Sequence, residues 1–215
     1  MILPALSVEN EHWYRRDGFT PEASVVFTGS GGQGVITAAI ILGEAAAIHE
    51  GLNAVQTQVY GPEARGGSTR ADVVISKDPI RFPKVVNPHV LVCLTQEAYD
   101  KYGRIVQPGG VLLIDSLYVT NIKNTEARQV ILPLYEATKK ELNNPVVFNI
   151  AVLGCVLSLT KIVRPESVLK ALRTKIAPGY LDINTKALEL GMDLGAHWKD
   201  SKANSAKETQ KMKVC

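Results

Sequence analysis

Cysteine is scarce in this sequence, and the few cysteines present are poorly placed to hold a metal. The 215 residues include Cys93, Cys155 and Cys215, and no two of them form a C-x-x-C pair. A zinc or iron–sulfur site built from neighbouring cysteines is therefore excluded. Cys93 and Cys155 stand inside apolar runs, where an unpaired cysteine usually acts as a small buried hydrophobe. An odd number of widely spaced cysteines is typical of a reducing compartment.

Long apolar runs and a strong excess of charge are also missing. The runs Val35–Ile48 and Val146–Leu159 are interrupted by Glu44 and Asn149, and both are shorter than the ~20 residues that a membrane-spanning helix needs. The first residues lack the basic segment and apolar core of a signal peptide. The formal net charge of +3 is too small to indicate binding to nucleic acid. We therefore expect a cytoplasmic protein with no membrane span and no nucleic-acid partner.

No catalytic or metal-binding set of histidines is visible. The sequence has no Ser–His–Asp or Cys–His arrangement, and its histidines are scattered over the chain, at His12, His49, His89 and His197. We expect each of them to have a structural role.

What the sequence does contain is an alternation of buried-strand and helix patterns. Apolar, β-branched runs at Ser24–Thr28, Val90–Thr95 and Val111–Asp115 are typical of buried strands, and Val35–Glu50 is an alanine-rich helix pattern. The other predicted elements are strands at Asn53–Tyr60, Thr69–Ser76 and Gln129–Leu132 and helices at Gln96–Tyr102, Leu134–Leu142, Val147–Thr160, Pro165–Ile176 and Leu181–His197. This order predicts a three-layer, Rossmann-like α/β domain with a mostly parallel sheet and helices on both faces.

We place this domain at residues 24–198, between two segments of different composition. Residues 1–23 contain the cluster Trp13-Tyr-Arg-Arg16, which indicates either an arm that packs on another subunit or a disordered leader. Residues 199–215 hold five lysines and almost no large apolar side chains, so we predict a mobile, solvated tail. A lysine-rich docking tail is the alternative.

A glycine-rich turn between the first strand and the first helix is the first candidate site. It matches G-x-G-x-x-G and consists of Gly29, Ser30, Gly31, Gly32, Gln33 and Gly34. Such a turn lets the backbone approach an anion, and the helix that follows presents free N–H groups, so a phosphate is the natural ligand. NAD is disfavoured because the second strand ends in Gln56–Tyr60 and carries no acid for the ribose. A tight turn that binds nothing is the structural alternative.

A second glycine-rich loop carries charged residues. Glycine and proline fix an unusual backbone path here, around one acid and one base, in the segment Tyr60, Gly61, Pro62, Glu63, Ala64, Arg65, Gly66 and Gly67. Arg65 can take a phosphate or carboxylate through two hydrogen bonds, although a surface salt bridge between Glu63 and Arg65 is an equally good interpretation.

Three further charged residues are weaker candidates. Arg70 and Asp72 share one predicted strand, and Asp115 ends another. Ligands of open α/β sheets gather outside the carboxyl ends of the strands. For Asp115 we favour a structural role, in which the carboxylate caps the following turn.

Together these motifs resemble the gamma subunit, or catalytic domain, of 2-oxoacid:ferredoxin oxidoreductases. The resemblance covers roughly residues 24–195 and rests on blocks that occur in order: Gly29–Val35, Gln56–Gly67, Val73–Ser76, Pro83-Lys84, Leu94–Tyr99 and Pro108–Asp115. The glycine turn alone is a weak signal, whereas the ordered set is specific.

The resemblance implies a multi-subunit enzyme that converts a 2-oxoacid to acyl-CoA, carbon dioxide and reduced ferredoxin. In this family thiamine diphosphate and Mg lie on alpha- and beta-type subunits, and 4Fe–4S clusters lie on a cysteine-rich, delta-type subunit. The gamma subunit lies beside that site and is implicated in handling coenzyme A. On this resemblance we expect Gly29–Gly34 to contact the phosphates of coenzyme A, and Tyr60–Gly67 to form a wall of the active site.

The substrate and the final electron acceptor stay open at this point. The loop Tyr60–Gly67 looks closest to that of 2-oxoglutarate-type gamma subunits. Pyruvate, branched-chain and phenylglyoxylate enzymes are alternatives, and in the last of these a further subunit with FAD can pass electrons to NAD. Outside the family, the chain could be a stand-alone nucleotide- or coenzyme A-binding protein. It could also be a purely structural subunit.

Overall fold

Runs of β-branched and apolar residues form the central sheet. The computed structural model of the chain describes residues 14–15, 18–19, 22–59 and 68–212, with side chains for 22–58 and 68–198. Its strands are β1 (Tyr14–Arg15), β2 (Gly18–Phe19), β3 (Glu22–Gly29), β4 (Asn53–Val59), β5 (Thr69–Ser76), β6 (Val90–Cys93), β7 (Val111–Asp115) and β8 (Arg128–Leu132). Every residue of β6 and β7 is buried, as expected for strands covered on both faces.

The order of the strands confirms the predicted, mostly parallel sheet. Six strands form one sheet in the order β4-β5-β3-β6-β7-β8. β3, β6, β7 and β8 are parallel neighbours, whereas β5 runs antiparallel to both β3 and β4. β4 and β5 therefore make a hairpin at one side of the sheet. β1 and β2 pair with each other in a separate two-stranded sheet.

Helices cover both faces of the six-stranded sheet, but unequally. They are α1 (Val35–Glu44), α2 (Gln96–Tyr102), α3 (Leu134–Leu142), α4 (Phe148–Thr160), α5 (Pro165–Lys175) and α6 (Leu181–Met212), with short 3-10 turns at Pro145–Val147 and Pro178–Tyr180. The larger core lies between the sheet and α1, α3, α4, α5 and α6. A smaller core on the opposite face is covered by α2 and by loop residues such as Val85 and Val119. The predicted three-layer arrangement is confirmed.

The α-helix predicted for Val35–Glu50 ends earlier, and a π-helical turn follows it. α1 stops at Glu44, and Ala45–His49 form a π-helical turn. Both ends of this turn are anchored to α5. Glu44 accepts a hydrogen bond from Thr174 and pairs with Lys175, while Glu50 accepts one from the backbone N–H of Arg164 at 2.6 Å. These tertiary contacts set the local backbone path, and periodicity alone does not reveal them.

The last helix is longer than the sequence pattern predicts. Its backbone continues past His197 to Met212. Residues 198–212 contain neither glycine nor proline, so nothing in them breaks a helix. The predicted mobility of the tail is a separate property and stays a prediction.

α4 and α6 cross at backbone contact, and glycine makes that contact possible. A Cβ atom on Gly154 of α4 would overlap the carbonyl oxygen of Leu188, and one on Gly191 of α6 would overlap that of Ala151. All residues of α4 except Ser158 are buried. The position of this apolar helix therefore depends on how closely α6 can approach it.

We expect Gly191→Ala to lower the free energy of unfolding by more than about 2 kcal/mol, because the added methyl group must push two packed backbones apart. Urea denaturation of the variant and the wild type measures this loss. Gly179→Ala is the matched control, since a Cβ atom at Gly179 meets no atom within 4 Å. Equal losses in the two variants would contradict the role assigned to the crossing.

Candidate functional site

The turn Gly29–Gly34, the glycine loop, begins at the last residue of β3. At this point the connections of the chain switch from one side of β3 to the other. After β3 the chain passes through α1 to β4 on one side, and after β5 it returns to β6 on the other side of β3. Thr28 at the end of β3 pairs with Cys93 at the end of β6, and the N–H of Leu94 donates to the carbonyl oxygen of Thr28 at 3.0 Å. Ligands of open α/β sheets bind in the crevice at such a point.

The side chain of Gln33 stabilises the shape of the glycine loop. Oε1 of Gln33 accepts a hydrogen bond from the N–H of Ser30 at 2.8 Å, and Nε2 donates to the carbonyl oxygen of Leu94 at 3.2 Å. A Cβ atom on Gly29 would overlap Oε1 of Gln33, so a larger residue there would displace this side chain. Gln33, predicted as a ligand contact, thus uses Oε1 within the loop and Nε2 to connect the loop to the chain after β6.

Backbone donors are left unpaired at the start of the helix that follows the loop. Gly34 is the N-cap of α1, and no side chain caps this helix. Within the part of the chain that the structure describes, the N–H groups of Val35, Ile36 and Thr37 have no acceptor, as at any uncapped helix start. Gly31 is exposed, and a Cβ atom there meets no atom within 4 Å. This arrangement can hold an anion by backbone hydrogen bonds and the positive end of the helix dipole.

Asn149 is a residue of this site that the sequence patterns did not reveal. It was visible only as an interruption of an apolar run. In the fold it is the second residue of α4, and its Nδ2 donates to the carbonyl oxygen of Gly34 at 3.3 Å. Gly34 has φ +70°, and a Cβ atom on it would lie 2.7 Å from Nδ2 of Asn149.

The second glycine-rich loop, Tyr60–Gly67, lies outside the described residues. The strand residues that flank it are described. Val59 pairs with Arg70 across the β4–β5 hairpin, and Thr69 pairs with Gly29, the first residue of the glycine loop. The glycine loop and the strand residues that flank the second loop therefore lie at the same end of the sheet.

Arg70 and Asp72 form a structural pair. Nε and Nη2 of Arg70 donate to the two carboxylate oxygens of Asp72 at 2.7 and 2.8 Å, and Nη2 also donates to the carbonyl oxygen of Val85 at 2.7 Å. The guanidinium lies 5.3 Å from the centre of the Tyr102 ring. The pair thus fastens the loop before β6 to β5.

Asp115 has the turn-capping role predicted for it. Its oxygens accept hydrogen bonds from the N–H groups of Leu117 at 3.0 Å and of Tyr135 at 2.8 Å, so it connects the end of β7 to the start of α3. The residue is 0% exposed. Burial raises the pKa of the Asp115 carboxyl above its ordinary value, and the backbone donors act in the opposite direction.

Metal and thiol chemistry find no support in the described residues. Among them no three His, Cys, Asp or Glu side chains are grouped closely enough to hold a metal ion. Burial raises the pKa of the Cys93 thiol to about 12, so this thiol stays protonated at neutral pH. None of the helices in the described ranges is both long enough and apolar enough to cross a membrane.

A model of one protein family matches most of the chain. The family is described as pyruvate ferredoxin/flavodoxin oxidoreductase, and the match covers residues 24–194. The 2-oxoglutarate synthase subunit KorC of Methanocaldococcus jannaschii is 44% identical over 169 residues, which are 78% of this chain and 90% of that protein.

Solved structures resemble the fold. The gamma subunit of a keto/oxoacid ferredoxin oxidoreductase from Geobacter sulfurreducens superposes with a TM-score of 0.74 at 36% identity, covering 80% of this chain and 98% of that one. A 2-oxoglutarate:ferredoxin oxidoreductase from Magnetococcus marinus, with 2-oxoglutarate, coenzyme A and succinyl-CoA bound, superposes with a TM-score of 0.73. The match covers 82% of this chain and 31% of that chain. At 20% identity this second likeness establishes the fold alone.

The Arg70–Asp72 pair yields a test of its structural role. We expect Arg70→Met to lower the free energy of unfolding by about 3–5 kcal/mol, because it leaves the buried Asp72 carboxylate without a counter-charge. The double variant Arg70→Met/Asp72→Leu should recover most of that loss, since no unpaired charge remains. Urea denaturation of the two variants measures both effects. A single variant as stable as the wild type would contradict this interpretation.

Proposed function

The chain belongs to the pyruvate ferredoxin/flavodoxin oxidoreductase family and is a gamma-type subunit of a 2-oxoacid:ferredoxin oxidoreductase, and we propose that its complex oxidises 2-oxoglutarate. The products would be succinyl-CoA, carbon dioxide and reduced ferredoxin. The choice of oxoacid is supported by the 44% identity to a 2-oxoglutarate synthase subunit.

We propose that the glycine loop binds the phosphates of coenzyme A. The observation that carries this proposal is the row of unpaired N–H groups at the start of α1, beside the exposed and unobstructed Gly31. The first turn of α1 contains no acidic residue that would repel a phosphate. The residues present therefore fit a phosphate group. They would hold coenzyme A in place, and its thiol would be the acceptor of the acyl group.

We assign the redox cofactors to other subunits of the complex. Thiamine diphosphate with Mg would lie on alpha- and beta-type subunits, where it supplies an electron sink for decarboxylation. The 4Fe–4S clusters would lie on a delta-type subunit and pass electrons to ferredoxin. The alternative is that the electrons pass to NAD through a flavin subunit that carries FAD. The sequence has no C-x-x-C pair that would hold a 4Fe–4S cluster.

We further propose that Tyr60–Gly67 forms a wall of the shared active site. The strand residues that flank it, Val59 and Thr69, lie at the end of the sheet that carries the glycine loop. Arg65 is its cationic residue and is suited to a carboxylate or phosphate. A purely structural subunit is the competing function.

Isolation of the complex separates these functions. We expect the tagged chain to co-purify with larger subunits, to show iron–sulfur absorbance, and to reduce ferredoxin faster with 2-oxoglutarate than with pyruvate, a branched-chain 2-oxoacid or phenylglyoxylate. Mass spectrometry identifies the partners. A colourless, stable monomer that binds a nucleotide tightly would contradict the subunit assignment. A preference for another oxoacid would overturn the assignment of the substrate.

Substitutions in the two loops test the coenzyme A site in the assembled enzyme. We expect Gly31→Asp to raise the KM for coenzyme A at least about tenfold, or ~1.4 kcal/mol, because the new carboxylate repels a phosphate at the same helix end. Gly31→Ala is the control for added bulk at the same position. Gly179→Asp is the control for a negative charge added elsewhere on the chain. We expect Arg65→Ala to raise a substrate KM or to lower turnover. If neither loop variant changes the coenzyme A KM or the turnover, both loop assignments fail.

A further inference from the structure

A buried amide lies against the candidate phosphate site. Asn149 belongs to α4, a helix whose other buried side chains are mostly apolar, and it is 8% exposed. Burying an amide costs free energy unless hydrogen bonds compensate for the lost water. Within the described residues Asn149 makes one long hydrogen bond, from Nδ2 to the carbonyl oxygen of Gly34 at 3.3 Å. Packing of α4 alone does not account for a polar side chain at this position.

The contact acts on the residue that shapes the site. The carbonyl oxygen of Gly34 also accepts the first hydrogen bond of α1, from the N–H of Ala38 at 3.0 Å. Gly34 is held at φ +70° and ψ 20°, a left-handed conformation that turns the loop into the helix. A Cβ atom on Gly34 would lie only 2.7 Å from Nδ2 and 2.8 Å from Cγ of Asn149. Asn149 thus supports the backbone of Gly34 from the side of α4 and fills the space beneath it.

This geometry also brings two helix ends together. Gly34 is the N-cap of α1, and Asn149 is the second residue of α4. The positive ends of both helix dipoles therefore meet at the Gly34–Asn149 contact, beside the unpaired N–H groups of Val35, Ile36 and Thr37. The direction in which these three groups point follows from the orientation of Gly34, which Asn149 helps to fix.

We propose that Asn149 is a positioning residue for the coenzyme A phosphates, acting through Gly34. The inference rests on the proposed function of the glycine loop. It predicts a defect confined to coenzyme A, because Asn149 orients the phosphate donors and takes no part in oxoacid binding or electron transfer.

The test uses the assembled complex and two nearly isosteric variants. We expect Asn149→Leu, which keeps the shape but loses the donor, to raise the coenzyme A KM about five- to tenfold, as expected for one hydrogen bond. The KM for the oxoacid and kcat at saturating coenzyme A should stay unchanged. Asn149→Asp should raise the coenzyme A KM further, since it adds a negative charge beside a phosphate.

Thr160→Val is the matched control. Thr160 is another buried polar residue of α4, and its hydroxyl donates to the carbonyl oxygen of Val156 within the same helix. The control removes a buried hydrogen bond from α4 without touching the glycine loop. It should leave the coenzyme A KM unchanged, even if it lowers the melting temperature of the complex as much as Asn149→Leu does.

The outcomes separate this inference from the function on which it rests. If Gly31→Asp raises the coenzyme A KM and both Asn149 variants leave it unchanged, the positioning role is wrong and the site stands. If Gly31→Asp also has no effect, the phosphate site itself is wrong. Equal changes in the coenzyme A KM, the oxoacid KM and kcat would indicate a general structural role and overturn the inference. Failure of both Asn149 variants to assemble would do the same.

Discussion

The crossing of α4 and α6 is the contact on which the candidate site depends. Glycine at 154 and 191 lets the two backbones touch, and this fixes the depth at which α4 sits against the sheet. The amino end of α4 carries Asn149, whose side chain lies directly against Gly34. A displacement of α4 large enough to make room for one methyl group would therefore also displace the start of α1. Close packing transmits such shifts because the interior has little free volume.

The buried charges of the described chain serve the fold. Arg70 and Asp72 bind each other, and Asp115 joins β7 to α3 through two backbone donors. At the glycine loop the donors to an anion are backbone N–H groups, which carry no titratable proton. On the proposed function, phosphate binding by this loop therefore depends on backbone geometry, and the ionisation of the loop's own side chains has little influence on it.

Much of the fold follows from the sequence because its strongest signals are local. The apolar runs that form β3, β6 and β7, the glycine loop and the helix start at Pro165 are each defined by a few neighbouring residues. The features that were not predicted depend on contacts between distant residues. The π-helical turn at Ala45–His49 is anchored to α5, and Asn149 meets Gly34 across 115 residues of sequence. The structure does not describe Tyr60–Gly67, so the active-site wall remains a prediction from the sequence.

A site made of backbone donors has a consequence for specificity. N–H groups at a helix start recognise a phosphate by its charge and shape. They would make no contact with the acyl group at the far end of coenzyme A. Within the described residues, the glycine loop thus offers no means to tell one 2-oxoacid from another. Discrimination must come from side chains that reach the oxoacid, either on partner subunits or in Tyr60–Gly67, where Arg65 could pair with a second carboxylate. Since 2-oxoglutarate differs from pyruvate in having that second carboxylate, the proposed wall Tyr60–Gly67 would influence the choice through its cationic residue, Arg65.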